Sequence, residues 1–214
     1  FPYDSYAFQH QLAITSNTTA VSAAIGAWSA GGGWDGPEGQ FYALTRLADP
    51  ADPEGIGWRG IGTKIVVWFG DAPAHDPVPN AATSLGYDIT EATVTDALVA
   101  AGIKVIAISI DTRPDTGYAD GTDDDPNNYG GDYATAYGIT EDGSPEQATR
   151  IATATDGAYL FAATPEEAAA AVIAGIEELT TDVWWDVTAC TPGITVTLTP
   201  EVYYDVQGET TKEF

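Results

Sequence analysis

The chain has 214 residues, 7 Lys+Arg against 32 Asp+Glu, and a formal net charge of −25. Hydrophobic residues make up 44 %, enough for a packed core and too many for a largely disordered acidic tail; no apolar run reaches the roughly 18 residues of a membrane-spanning helix. A surface of this sign repels phosphate, which argues against nucleic acid as a partner and favours metal cations.

Residues 19–28 place Val21, Ile25 and Trp28 at i, i+4 and i+7, one face of a helix. Asn17 suits its cap, although Asn17-Thr18-Thr19 also matches a glycosylation sequon. Residues 31–36 read as a loop. Pro37 suits the first position of a second helix, with Phe41, Leu44, Leu47 and Ala48 on one side and Asp49-Pro50 as its stop. Lys64–Phe69 is an apolar run of strand length, of the kind buried on both faces in a parallel sheet. A Pro- and Ala-rich loop spans 72–88. Val94, Leu98 and Ala101 define a helix over 91–101, stopped by Gly102. Ile103–Ile110 is the next buried strand. Residues 111–143 form a long polar loop. Ser144-Pro145-Glu146-Gln147 predicts a helix start in which Ser144 caps and Gln147 reaches back as in a capping box. A short strand follows over 158–162, and Thr164-Pro165-Glu166-Glu167 opens a last helix to about Leu179. Segments 183–189 and 194–199 alternate with period 2, as antiparallel strands do.

This order predicts an α/β fold: a doubly wound, mostly parallel sheet with helices on both faces over residues 1–181. Residues 182–214 are expected to be the first strands of a β-rich, Ig-like domain. The chain contains no Met and starts Phe1-Pro2-Tyr3, so it is expected to be a processed or excised piece of a longer protein. Cys190 is the single cysteine; it pairs outside the chain or is a plain buried thiol, and no Cys-rich metal site is available.

Ligands of open parallel sheets gather beyond the carboxyl ends of the strands. Asp71 stands at that end of the 64–69 strand, and Asp35 and Glu38 precede the 40s helix. If both loops reach one rim, three carboxylates converge, which suits a hard cation such as Mg²⁺ or Ca²⁺. Composition alone leaves other roles open: a turn residue for Asp35, a helix-start charge for Glu38, a cap for Asp71.

The stretches Trp34-Asp-Gly-Pro-Glu-Gly39, Lys64-Ile-Val-Val-Trp-Phe-Gly-Asp-Ala72 and Gly102-Ile-Lys-Val-Ile-Ala-Ile-Ser-Ile110 resemble the von Willebrand factor A domain. Within that superfamily they resemble the integrin β I-like type and its bacterial and archaeal surface-protein relatives, over about residues 1–180. The resemblance implies a metal-ion-dependent adhesion site. Glu38 would be the second-loop ligand and Asp71 the third-loop acid, with Asp35 and the Pro37 carbonyl holding a neighbouring ion. The family's Asn two residues before that Asp is Gly33 here, which weakens the neighbouring site. The family's Asp-x-Ser-x-Ser run is absent from the 214 residues, so the first part of the domain is expected to lie outside them.

A second oxygen-rich stretch, residues 120–132, offers Asp120, Asp123, Asp125, Asn127 and Asp132 as a calcium loop, without the Gly and Glu of an EF-hand. Trp34 and His75 are candidate partner contacts. Paired carboxylates also occur in glycosidases. Here, however, they lie on metal-type loops, and neither a Ser-His-Asp set nor a phosphate-binding Gly-rich loop is legible. The resemblance implies a non-enzymatic, extracellular or cell-surface adhesion module. It would bind the acidic group of a protein or glycan ligand through Mg²⁺ or Ca²⁺. The alternatives are a self-associating subunit of a surface layer or filament, with metal only stabilising, and, more weakly, a secreted hydrolase.

Overall fold

A computed structural model of the chain describes residues 8–29, 36–110, 121–129, 136–162 and 164–180. The two longest apolar runs become neighbouring parallel strands. β1 (Lys64–Gly70) pairs with β2 (Ile103–Ile110) from Lys64 opposite Ile103 to Gly70 opposite Ser109. β3 (Ala158–Ala162) pairs in parallel on the other side of β2, with Ile106 opposite Ala158. The order β1-β2-β3 makes β2 the central strand, which is why its run IKVIAISI is apolar on both faces.

Strand side chains alternate between faces, and the two sets belong to separate clusters. Val66 and Trp68 of β1 and Val105 and Ala107 of β2 join one cluster. Its helices are α2 (Gln40–Ala48), through Phe41 and Leu44, α4 (Glu91–Ala101), through Val94 and Leu98, and α5 (Gln147–Ala154), through Ile151 and Ala152. Ile106, Ile108 and Ala162 face the other way and meet α6 (Pro165–Thr180) at Ala168, Ala171 and Val172. The result is an α/β fold of the doubly wound, vWA/Rossmann-like kind, as expected. Each fully buried side chain such as Phe41, Ile106 or Ile151 contributes about 1.5–3 kcal/mol of transfer free energy.

Local signals end most helices where the sequence predicts. The side chain of Asn17 accepts the Ala20 N–H (3.1 Å) at the start of α1 (Thr18–Gly26). Thr90 and Thr93 form a reciprocal capping box at α4, and Gly102 closes it at φ 65°. Thr164 accepts the N–H of Glu167 (3.2 Å) at α6.

The helix expected over 19–28 forms as α1, and none of its residues is buried. Three expectations are corrected. β1 is buried only in part on its second face: Ile65 and Val67 pack against the second cluster, but Phe69 is 40 % exposed. The 72–88 loop contains a helical turn, α3 (Asn80–Thr83), and an antiparallel bridge between Val78 and Ile89. Finally, Pro37 does not open α2, which starts at Gln40 because the backbone before it is paired elsewhere. The strands expected over 183–189 and 194–199, the 181/182 boundary and Cys190 lie outside the described residues.

Candidate functional site

The rim is built where β1 ends. Beyond Gly70 the chain runs Asp71-Ala-Pro-Ala-His75, and residues 37–39 lie alongside it. The Glu38 N–H donates to the Pro73 carbonyl (2.9 Å), and the His75 N–H donates to the Glu38 carbonyl (3.0 Å). These two bonds make a parallel bridge between Glu38 and Ala74, which is the pairing that keeps Pro37 out of the helix. Gln40, one turn further, donates its Nε2 to the Ala72 carbonyl (3.0 Å). On the opposite side the buried Gln147 holds Ala74 at both backbone atoms: its Oε1 accepts the N–H (2.9 Å) and its Nε2 donates to the carbonyl (3.2 Å). The loop behind Asp71 is thus clamped between α2 and α5.

Glu38 and Asp71 are both exposed on this rim, and Pro37 is buried behind them. Glu38 lies on the bridged segment, and Asp71 precedes by two residues the Pro73 that accepts the Glu38 N–H. Among the described residues no group of three or more His, Cys, Asp or Glu is arranged to hold a metal. Asp35 and Trp34 lie outside the described residues.

His75 is corrected as a partner contact. It is 1 % exposed, and its Nδ1 pairs with the Glu141 carboxylate, whose second oxygen accepts the Asp76 N–H (2.9 Å). A buried imidazole tied in this way serves the loop's internal structure and is out of a ligand's reach.

The acidic stretch is tied into the protein through its own hydrogen bonds. Asp123 is 7 % exposed and caps α5: its carboxylate accepts the backbone N–H of Thr149 (2.9 Å) and the Thr149 hydroxyl (2.5 Å). Asp123 therefore does what Ser144 and Gln147 are expected to do, while the Ser144 hydroxyl is bonded to Arg150 (3.0 Å). Asp125 accepts two N–H groups of Asn127, from the backbone (3.0 Å) and the side-chain amide (2.8 Å), and that amide also donates to the Gly143 carbonyl (2.6 Å). These bonds engage both oxygens of Asp123 and one oxygen of Asp125 within the protein. Asp120 and Asp132 lie outside the described residues.

Sequence reasoning missed Gln40 as a link to the rim, and took Gln147 for a cap. It also missed how the acidic stretch reaches the rim. A Cβ at Gly36 would sit 1.7 Å from Cδ1 of Tyr129, so the ring lies directly on this glycine. Within the stretch, the Tyr129 hydroxyl donates to the Asp124 carboxylate (2.7 Å). Gly36 in a Gly-rich stretch carries no signal of that contact.

A separate open cleft of about 450 Å³ is lined by Asp76, Pro77, Thr90, Glu91, Ala92, Asp142, Ser144 and Arg150. None of the expected ligands lines it. No described helix is long and apolar enough to cross a membrane.

A family model described as the integrin beta chain VWA domain matches residues 3–84, which include Glu38 and Asp71. Integrin beta pat-3 of Caenorhabditis elegans is 35 % identical over 72 residues, 34 % of this chain and 9 % of that protein. Integrin beta-2 of Sus scrofa and of Bos taurus are each 36 % identical over 70 residues, 33 % of this chain and 9 % of theirs. The chain therefore spans less than a tenth of the length of these curated relatives.

Proposed function

We propose that the chain is an extracellular or cell-surface adhesion module, without catalytic activity, that binds the acidic group of a protein or glycan partner through Mg²⁺ or Ca²⁺ at the Glu38–Asp71 rim. The observation that carries this reading is the hydrogen-bonded pairing of Glu38 with Pro73–His75, the segment that directly follows Asp71. The match to the integrin beta chain VWA domain over the same residues supports it.

Glu38 and Asp71 would hold the cation, with the Pro37 carbonyl and Asp35 toward a neighbouring ion and Trp34 toward the partner. A divalent ion with few protein charges around it supplies an electrophilic centre that a partner's carboxylate completes. The protein's part is rigidity. Gln40 and Gln147 fix the loop behind Asp71, so little ordering is required when a ligand arrives.

Calorimetric titration of Mg²⁺ and of Ca²⁺ into the chain, and into its Glu38→Gln and Asp71→Asn variants, tests the reading. Saturable binding that either substitution abolishes, with unchanged circular dichroism, is expected. Equal affinity in parent and both variants overturns it. EDTA that leaves the fold intact but releases a carboxylate-bearing partner fits adhesion; EDTA that instead dissolves an assembly of this chain identifies a structural role and overturns the adhesion reading.

A further inference from the structure

Asp76 sits where three segments meet. Its N–H donates to Glu141 (2.9 Å), its carbonyl accepts the Asp142 N–H (2.7 Å), and it lines one cleft with Glu91 at the start of α4. The open cleft beside it has Asp76, Glu91 and Asp142 in its lining, with Arg150 as the only cation among those residues. That guanidinium is already held by both oxygens of Glu91 (2.6 Å each) and by the Ser144 carbonyl (3.1 Å). Glu141 in turn is shared between His75 and the Asp76 N–H.

We propose that the Asp76 carboxyl is an acid-operated clasp: proton uptake there tightens the junction between the loop behind Asp71 and the segment that leads into α5. Removal from water pushes this carboxyl up to about 6 from its ordinary 3.8; the Glu91 N–H opposes the shift, while the charges of Glu91, Glu141 and Asp142 add to it. Arg150 on α5 lines the same cleft, and His75 is next in the chain.

A carboxyl whose folded value is raised binds its proton more tightly when folded. Its contribution to stability is full below the unfolded value and is lost as pH rises through about 6. The consequence reaches the rim through His75, whose N–H holds the Glu38 carbonyl (3.0 Å). None of this requires a cation, so the clasp and the adhesion reading stand or fall separately.

A ¹³C NMR titration of the parent chain reads the Asp76 carboxyl directly. A midpoint near 6 is expected, with the Glu91 and Asp142 amide shifts moving at the same midpoint; a midpoint in the ordinary carboxylate range overturns the proposal. Thermal melts of the parent and Asp76→Asn supply the second measurement. The variant is expected to melt roughly 3–6 °C above the parent near pH 8 and to lose that advantage near pH 4.5. A constant offset between the two Tm curves overturns the clasp.

Discussion

Gln147 and Ala74 lie 73 positions apart, yet the side-chain amide of one forms two hydrogen bonds with the backbone of the other (2.9 and 3.2 Å), both buried. The amide supplies the donor and acceptor that a neighbouring strand would supply, on the side of the loop opposite Glu38. It is the brace against which the candidate rim is built.

Removing that brace leaves a buried N–H and a buried carbonyl without partners, at roughly 1–3 kcal/mol each. Gln147→Leu is therefore expected to cost about 2–5 kcal/mol in denaturant-induced unfolding.

The contact between Gly36 and Tyr129 predicts a specific non-additivity. Gly36→Ala forces the ring to move and is expected to cost about 1–3 kcal/mol as an overpacking change. In a chain that already carries Tyr129→Ala, the same substitution is expected to be nearly neutral. A double-mutant cycle read by thermal melting measures the coupling, and equal costs in both backgrounds would refute the contact.

Asp123 caps α5 through the backbone N–H and hydroxyl of Thr149. Asp123→Ala is expected to destabilise the chain by about 1–2 kcal/mol through α5, and the loss is expected to be the same in millimolar Ca²⁺ and in EDTA. A loss seen only with Ca²⁺ present would assign the carboxylate to the cation.

The rim shows how far a sequence can be followed. The run Lys64–Phe69 has the length and apolarity of a buried strand, which puts Asp71 at its end. The loop before α2 and the resemblance put Glu38 near it. That the two are joined, through Glu38 N–H to Pro73 and His75 N–H to Glu38, could not be read, because residues 36–38 carry no strand periodicity. The same lack of a local signal let Pro37 pass for a helix start and the buried His75 for a surface residue.

What this sequence determined alone are the elements whose causes lie within a few residues: the apolar runs of β1, β2 and β3, the Asn17 and Thr164 caps, the Gly102 stop and the doubly wound order. Tertiary structure alone decided the partners: Gln147 for Ala74, Asp123 for α5, Glu141 for His75, Tyr129 for Gly36. Periodicity and capping are set by backbone geometry over one or two turns. A buried donor instead takes whichever acceptor the packing of distant segments brings within about 3 Å, and that distance has no counterpart along the chain.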